Sequence, residues 1–95
     1  MKFEFTGEVW HWRGPAPFYF VSVPEVQSAE ISDLAAELTY GWGMIPVDAT
    51  IGRTTWYTAM FAKDGGYVLP LKAAIRKAES IELGDEVVAR IELRR

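Results

Sequence analysis

The sequence predicts a mainly β protein, a small closed barrel of about six strands with two short helices. Apolar and polar residues alternate along several segments, as they do in strands that have one buried face. Glycines and prolines separate these segments, where turns are expected. The order strand, proline, short helix, turn, strand occurs twice, around 20–51 and again around 67–93. Two such units could form the halves of one closed barrel, which leaves no open sheet edge.

The first two strands are predicted on either side of a turn at 13–17. Along 3–9 apolar and polar side chains alternate, and Gly7 within this strand suggests a bulge or a sharp bend. The second strand, 18–23, is apolar on both faces, which is typical of a covered strand. Pro24 ends it and can open a helical turn.

A helix and a third strand are predicted next. Ser28 can cap a helix whose apolar residues have helical spacing: Ile31, Leu34, Ala35 and Leu38. The glycine-rich stretch 40–43 ends that helix. The strand 44–51 has one apolar face, and Pro46 within it argues for an edge position or a bulge.

The second half begins with a tight link at 52–53 and a strongly β-prone strand at 54–62. An Asp-Gly pair predicts a hairpin turn at 63–66, followed by the short strand 67–69.

The final helix and strand are predicted from Pro70 onward. Pro70 begins a helix with the buried stripe Leu71, Ala74, Ile75 and Ala78. Gly84 and Asp85 form a turn into the last strand, 86–93, in which apolar and polar positions alternate strictly.

Composition limits the protein to a few classes. The 95 residues are 49% hydrophobic and 24% charged, as expected of one folded domain over 1–95. There is no cysteine, which excludes disulfides, thiolate metal sites and a cysteine nucleophile. No apolar run reaches the ~20 residues of a membrane span, and 1–5 has no signal-peptide character. We therefore expect a cytoplasmic protein without a membrane partner.

The net charge of −3 is distributed unevenly. Residues 1–47 carry two basic and six acidic side chains, whereas 48–95 carry eight basic and seven acidic ones. An acidic chain is poorly suited to duplex nucleic acid, whose affinity depends on many phosphate contacts. A local basic face in the second half remains open.

Several short motifs resemble those of a single family. They are Gly43-Met44-Ile45-Pro46-Val47, Ile51-Gly52-Arg53-Thr54-Thr55-Trp56, Gly66-Tyr67-Val68-Leu69-Pro70-Leu71-Lys72, Arg76-Lys77-Ala78 and Gly84-Asp85. The family is the bacterial and archaeal one known as domain of unknown function 1905, and the resemblance covers nearly the whole chain. It implies a double-split β-barrel with short helices, and it implies no established activity. The stretch 69–87 is also similar in topology to the swapped-hairpin half of AbrB-type transition-state regulators.

Catalytic and metal sites find little support in the residue types. His11 is the one histidine, and a nucleophilic triad would have to use it. One histidine without cysteine cannot supply the usual ligands of zinc or copper. A hard cation would need acidic side chains, and Asp48, Asp64 and Asp85 do not have EF-hand spacing. Asp64 and Asp85 are explained as turn residues. No cofactor is expected.

Basic residues of the second half form a candidate anion site. Lys72 and Arg76 lie four residues apart and share one helix face, opposite the apolar stripe. Lys72 lies in the first turn, where the helix dipole disfavours a cation. This unfavourable position suggests that Lys72 has a role other than stabilising the helix. With Arg53 from the preceding link they could bind a small anion, with Trp56 alongside. The alternative is a solvated face whose cations pair with Glu79 or Glu82.

The aromatic residues carry the second hint. Trp10, Trp12, Tyr19, Trp42, Trp56 and Tyr57 exceed what one strand face can bury, although a central strand would account for several of them. The sequence thus favours a non-catalytic module that binds a small anionic ligand or a protein partner. We expect a monomer, because one chain can close the barrel alone. Nucleic-acid binding by analogy with the AbrB-type barrels is the alternative, and an enzyme is third.

Overall fold

Within residues 2–12, 18–38, 44–63 and 65–94, which the computed structural model describes, the chain forms six strands and two helices. In chain order they are β1 (Lys2–Trp12), β2 (Phe18–Ser22), α1 (Glu25–Leu38), β3 (Met44–Ile51), β4 (Thr54–Lys63), β5 (Gly66–Leu71), α2 (Ala73–Ala78) and β6 (Glu86–Leu93). The predicted number and order of these elements are confirmed.

The six strands close into an antiparallel barrel in the order β1-β2-β5-β4-β3-β6. The two halves of the chain have the same order of elements, because β1-β2-α1-β3 is followed by β4-β5-α2-β6. Equivalent strands of the halves pair with each other: β2 with β5, and β3 with β6. The predicted mainly β barrel built from two similar units is therefore confirmed.

The inward faces of the strands form the core. In β6 the burial alternates strictly, as predicted: Val87, Ala89, Ile91 and Leu93 are buried, and the residues between them are exposed. The helix α1 adds the fully buried Ile31 to this core, with Leu34 packed against it. The side chains of Ala35 and Leu38, and the predicted turn at 40–43, lie outside the described residues.

The predicted bulge at Gly7 is wrong. The residues of β1 and β6 pair one to one from Lys2–Glu92 to Glu8–Glu86, without an inserted residue. Gly7 occupies an inward position between the buried Phe5 and Val9. A Cβ there would lie 2.6 Å from Cγ1 of Val21, so glycine is explained by close packing instead.

Pro46 lies neither on an edge strand nor in a bulge, contrary to expectation. Its carbonyl accepts a hydrogen bond from the backbone N–H of Arg94 at 3.0 Å, just beyond the end of β6. In antiparallel pairs the N–H and C=O of one residue point to the same neighbour. The donor that proline lacks would therefore face the end of β6, where the ladder finishes.

Both helices begin at residues other than those predicted. The helix α1 starts at Glu25, directly after Pro24, and Ser28 is a buried residue inside it. The Ser28 hydroxyl donates to the carbonyl of Val23 and accepts from the N–H of Tyr67, which ties α1 to β5. In the second half Pro70 lies inside β5 rather than at a helix start.

The apolar stripe predicted for the second helix is also corrected. The helix α2 spans Ala73–Ala78, and Ile75 is its buried residue. Leu71 is buried as well, but as part of β5, whereas Ala74 and Ala78 are exposed. The short α2 therefore packs through one side chain and leaves most of its surface to solvent.

A candidate ligand-binding groove at the β4–β5 seam

The ladder between β4 and β5 ends early. It holds three pairs: Phe61–Val68, Ala62–Tyr67 and Lys63–Gly66. Continuing that register by two residues would place Ala59 opposite Pro70. The pairing stops before this position, and no further pair joins β4 to β5 in the described chain.

Pro70 gives a physical reason for the early end of this ladder. The carbonyl of Tyr67 accepts a hydrogen bond from the N–H of Val23, so Tyr67 faces β2. Successive residues of a strand face opposite neighbours, which directs the backbone of Pro70 toward β4. Because proline has no N–H, it cannot donate to Ala59, and the ladder loses its next bond.

A groove of about 720 Å³ lies at this opening, which we call the seam groove. Five aromatic side chains contribute to its walls: Trp12, Phe18, Tyr19, Phe20 and Phe61. The ring of Phe20 contacts Phe18 and meets Phe61 edge to face, with centroids 6.5 Å apart. Trp12, Phe18 and Phe61 keep 45%, 50% and 38% of their surface exposed. Large apolar rings left open around one cavity are typical of a ligand site.

Lys72 and Arg76 both line the seam groove, at the end where β5 leads into α2. The Arg76 guanidinium lies over the ring of Tyr19, with Cζ 3.7 Å from the ring centroid. Its Nε donates to the carbonyl of Leu71 at 3.4 Å, which leaves the Nη atoms for other acceptors. Lys72 precedes α2 as its N-cap residue and is exposed, without a capping bond from its side chain. The structure thus brings together two of the four predicted site residues.

Neither cation is paired with a carboxylate in the described part of the chain. Glu79 accepts a hydrogen bond from the hydroxyl of Thr54 at 2.5 Å, and Glu82 forms no ion pair with Lys72 or Arg76. The alternative of a solvated face with paired charges therefore finds no support among these residues. Two cations beside an aromatic cavity form a site suited to an anion.

Arg53 and Trp56 do not line this groove. Arg53 is exposed in the turn between β3 and β4, next to Gly52, whose φ is 59°. Trp56 points into the barrel and is 9% exposed, as part of the core. Its Nε1 is a buried donor without a hydrogen-bond partner among the described residues. Trp56 is thus placed in the core and not among the residues that line the seam groove.

The other candidate residues have structural roles. His11 packs against Tyr19, with ring centroids 5.1 Å apart, and is half-buried in β1. Asp48 pairs with Arg94, and the Asp85 carboxylate accepts from the N–H of Glu82, as expected of a turn residue. Asp64 lies outside the described residues. Within the described ranges, no three side chains of metal-binding type come together.

A second cavity of about 730 Å³ lies near the start of α1, and several of its polar groups already form hydrogen bonds. The Nε1 of Trp10 donates to the Ser22 hydroxyl at 2.9 Å. The Ser28 hydroxyl is held between the backbones of Val23 and Tyr67. Glu25 and Lys63 also line this cavity. A carboxylate beside a single cation suits an anion less well than the two cations of the seam groove.

Sequence reasoning missed most of the groove walls. The segment 18–23 is apolar on both faces, which suggested a strand covered on both sides. Instead Val21 faces the core, while Phe18 and Phe20 face outward around the groove. The signal that could have found the groove was Pro70, since a proline within a β pattern marks the end of a ladder.

Replacing Pro70 with valine is expected to extend the β4–β5 ladder toward Ala59 and to narrow the seam groove. The variant supplies the missing N–H, which can donate to the Ala59 carbonyl. Amide hydrogen exchange measured by NMR would show protection at position 70 comparable to that of Val68, which serves as the internal reference. An unprotected amide at position 70 would contradict this account of the seam.

Comparison with known protein families finds a match over most of the chain. The family described as Domain of unknown function (DUF1905) matches residues 5–91. No curated protein matches the chain. Neither helix in the described ranges is long and apolar enough to span a membrane.

Proposed function

The chain belongs to the DUF1905 family, and we propose that it is a non-catalytic module that binds a small anionic ligand in the seam groove. The observation that supports this most is the pair of cations, Lys72 and Arg76, without carboxylate partners at the rim of an aromatic cavity. The ligand class that fits has an apolar or aromatic body and one anionic group.

Arg76 is suited to orient such a ligand. Its guanidinium is restrained by the Tyr19 ring and by the hydrogen bond to the Leu71 carbonyl, so less side-chain freedom is lost when it binds. A planar guanidinium can donate two parallel hydrogen bonds to one carboxylate. Lys72 adds a second positive charge without a fixed direction. The aromatic walls would then bury the apolar body of the ligand.

The residues around the groove support binding rather than catalysis. Among the described residues that line it there is no histidine and no carboxylate. The hydroxyl groups of Tyr19 and Thr58 have no adjacent base to activate them within this lining. We therefore propose no chemical step.

Nucleic-acid binding is the alternative function. Cations beside exposed aromatic rings would suit the stacked bases of a single strand. The net charge of −3 works against duplex binding, because phosphate contacts supply most of that affinity. A short single-stranded and a short duplex oligonucleotide therefore belong in the test below.

A comparison of acids with their amides tests the proposal. A ligand of about a dozen non-hydrogen atoms, binding with ~0.3–0.5 kcal/mol per atom, has a Kd between roughly 50 µM and 2 mM. At 10 mM ligand and a Kd near 1 mM, the stabilisation is about 1.4 kcal/mol, or a rise in Tm of about 5–10 °C.

At matched ionic strength we expect 3-phenylpropionate to raise Tm by about 5–10 °C, and 3-phenylpropionamide to raise it far less. Inorganic phosphate alone should have little effect, because it cannot occupy the aromatic walls. Equal shifts for the acid and the amide, or no shift for either, would contradict the proposal. A larger shift with an oligonucleotide would favour the alternative function.

A further inference from the structure

The backbone of Ala59 faces the seam groove at a position where the β4–β5 ladder forms no pair. The carbonyl of Pro46 accepts from Arg94, so Pro46 faces β6 and turns its paired residue, Ala59, away from β3. The same direction follows from Phe61, two residues further on, which pairs with Val68 of β5. The Ala59 N–H and C=O therefore both face the seam.

Within the described chain, Ala59 forms no ladder pair on that side. The pairs between β4 and β5 end at Phe61, and Pro70 opposite Ala59 lacks an N–H. Ala59 is half-buried and lines the groove, so its two backbone groups border an apolar cavity. An open N–H and C=O at a strand edge are what an added extended chain binds.

The direction of an added chain is set by the cations. A chain that is antiparallel to β4, as β5 is, would run along the seam toward α2. Its carboxyl end would then arrive at Lys72 and Arg76, which line that end of the groove. An α-carboxylate complements these two unpaired charges, and the aromatic walls can hold the last side chain.

We propose that the ligand of the seam groove is the C-terminal end of a peptide chain with an apolar or aromatic last residue. The α-carboxylate binds Arg76 and Lys72, the last side chain enters the aromatic walls, and one backbone amide pairs with Ala59. This inference rests on the proposed function, because it assigns the peptide carboxylate to the same anion site. It adds the backbone pairing, which a simple aromatic acid cannot form.

Four probes test the inference by calorimetric or fluorescence titration of the full chain. The reference probe is an acetylated tripeptide of alanine, valine and phenylalanine with a free carboxylate. The second is the same tripeptide with a C-terminal amide. In the third, the amide nitrogens of the last two residues are methylated. The fourth is 3-phenylpropionate, which carries the ring and the acid alone.

The free tripeptide is expected to bind about tenfold or more tightly than 3-phenylpropionate, because it adds hydrogen bonds to Ala59. Amidation of the tripeptide's C-terminus should lower its affinity at least tenfold. N-methylation should remove most of the affinity that the tripeptide gains over 3-phenylpropionate. On saturation with the tripeptide, the Ala59 amide should become protected from hydrogen exchange, and with 3-phenylpropionate it should not. The exposed Lys77, which does not line the groove, supplies the control variant Lys77→Ala, with unchanged affinities.

The outcomes separate the two proposals. If 3-phenylpropionate binds and the tripeptide gains nothing over it, the inference is overturned while the proposed function stands. Tripeptide binding that is insensitive to amidation or to N-methylation overturns the inference as well. If no probe binds, both proposals fall.

Discussion

Replacing both Lys72 and Arg76 with alanine is expected to weaken the binding of an aromatic carboxylate about 100-fold. Hydrogen bonds to charged groups contribute about 1.5–3 kcal/mol each, and the stacked Arg76 is the better-ordered partner. Calorimetric titration of the variant with 3-phenylpropionate measures this loss of affinity. The apolar walls stay in place, so weak binding of the uncharged amide should persist.

Two further variants make this result specific. Lys77→Ala removes a positive charge from the same helix but outside the groove, and it should leave the affinity unchanged. Arg76→Lys keeps the charge but loses the planar guanidinium over the Tyr19 ring. Its affinity should therefore lie between those of the wild type and the double alanine variant. A double variant that binds as tightly as the wild type would show that these cations do not form the site.

Replacing Gly7 with alanine is expected to lower the free energy of unfolding by about 1–3 kcal/mol, as overpacked cores do. The new Cβ would lie 2.6 Å from Cγ1 of the fully buried Val21 and 3.1 Å from the carbonyl oxygen of Ser22. The backbone oxygen cannot move aside by a change of rotamer. In a chain of this size the loss corresponds to a fall in Tm of about 5–20 °C, measured by calorimetry.

The double variant Gly7→Ala with Val21→Ala tests the cause. Removing the Val21 methyl groups makes room for the new Cβ, so the double variant should be more stable than the sum of the single effects predicts. Strict additivity of the two changes would mean that the contact with Val21 is not what requires glycine at position 7.

The strands were predictable because alternate residues of a strand face the single core of the barrel. In β6 every second residue faces inward, and the sequence alternates accordingly from Val87 to Leu93. The repeated order of elements was visible for the same reason, since each half contributes matching strands. The start of α1 was misplaced because the Ser28 hydroxyl bonds to Val23 and Tyr67, a contact between distant segments.

The candidate site was predictable only where it depends on local spacing. Lys72 and Arg76 are four residues apart, and both reach the same groove. The strand of Trp56 carries aromatic residues on both faces, so the sequence does not show which of them face inward, and the structure places Trp56 in the core. The groove itself results from where the β4–β5 ladder stops, which depends on the register between Ala59 and Pro70.

The most direct test of the account is an NMR titration of the ¹⁵N-labelled protein with 3-phenylpropionate. The account predicts amide shifts concentrated at Phe18, Ala59, Phe61 and Arg76, with the Arg53 turn unaffected. Shifts concentrated instead at Ser28 and Tyr67, around the cavity near α1, or no saturable shifts at all, would contradict the assignment of the seam groove as the ligand site.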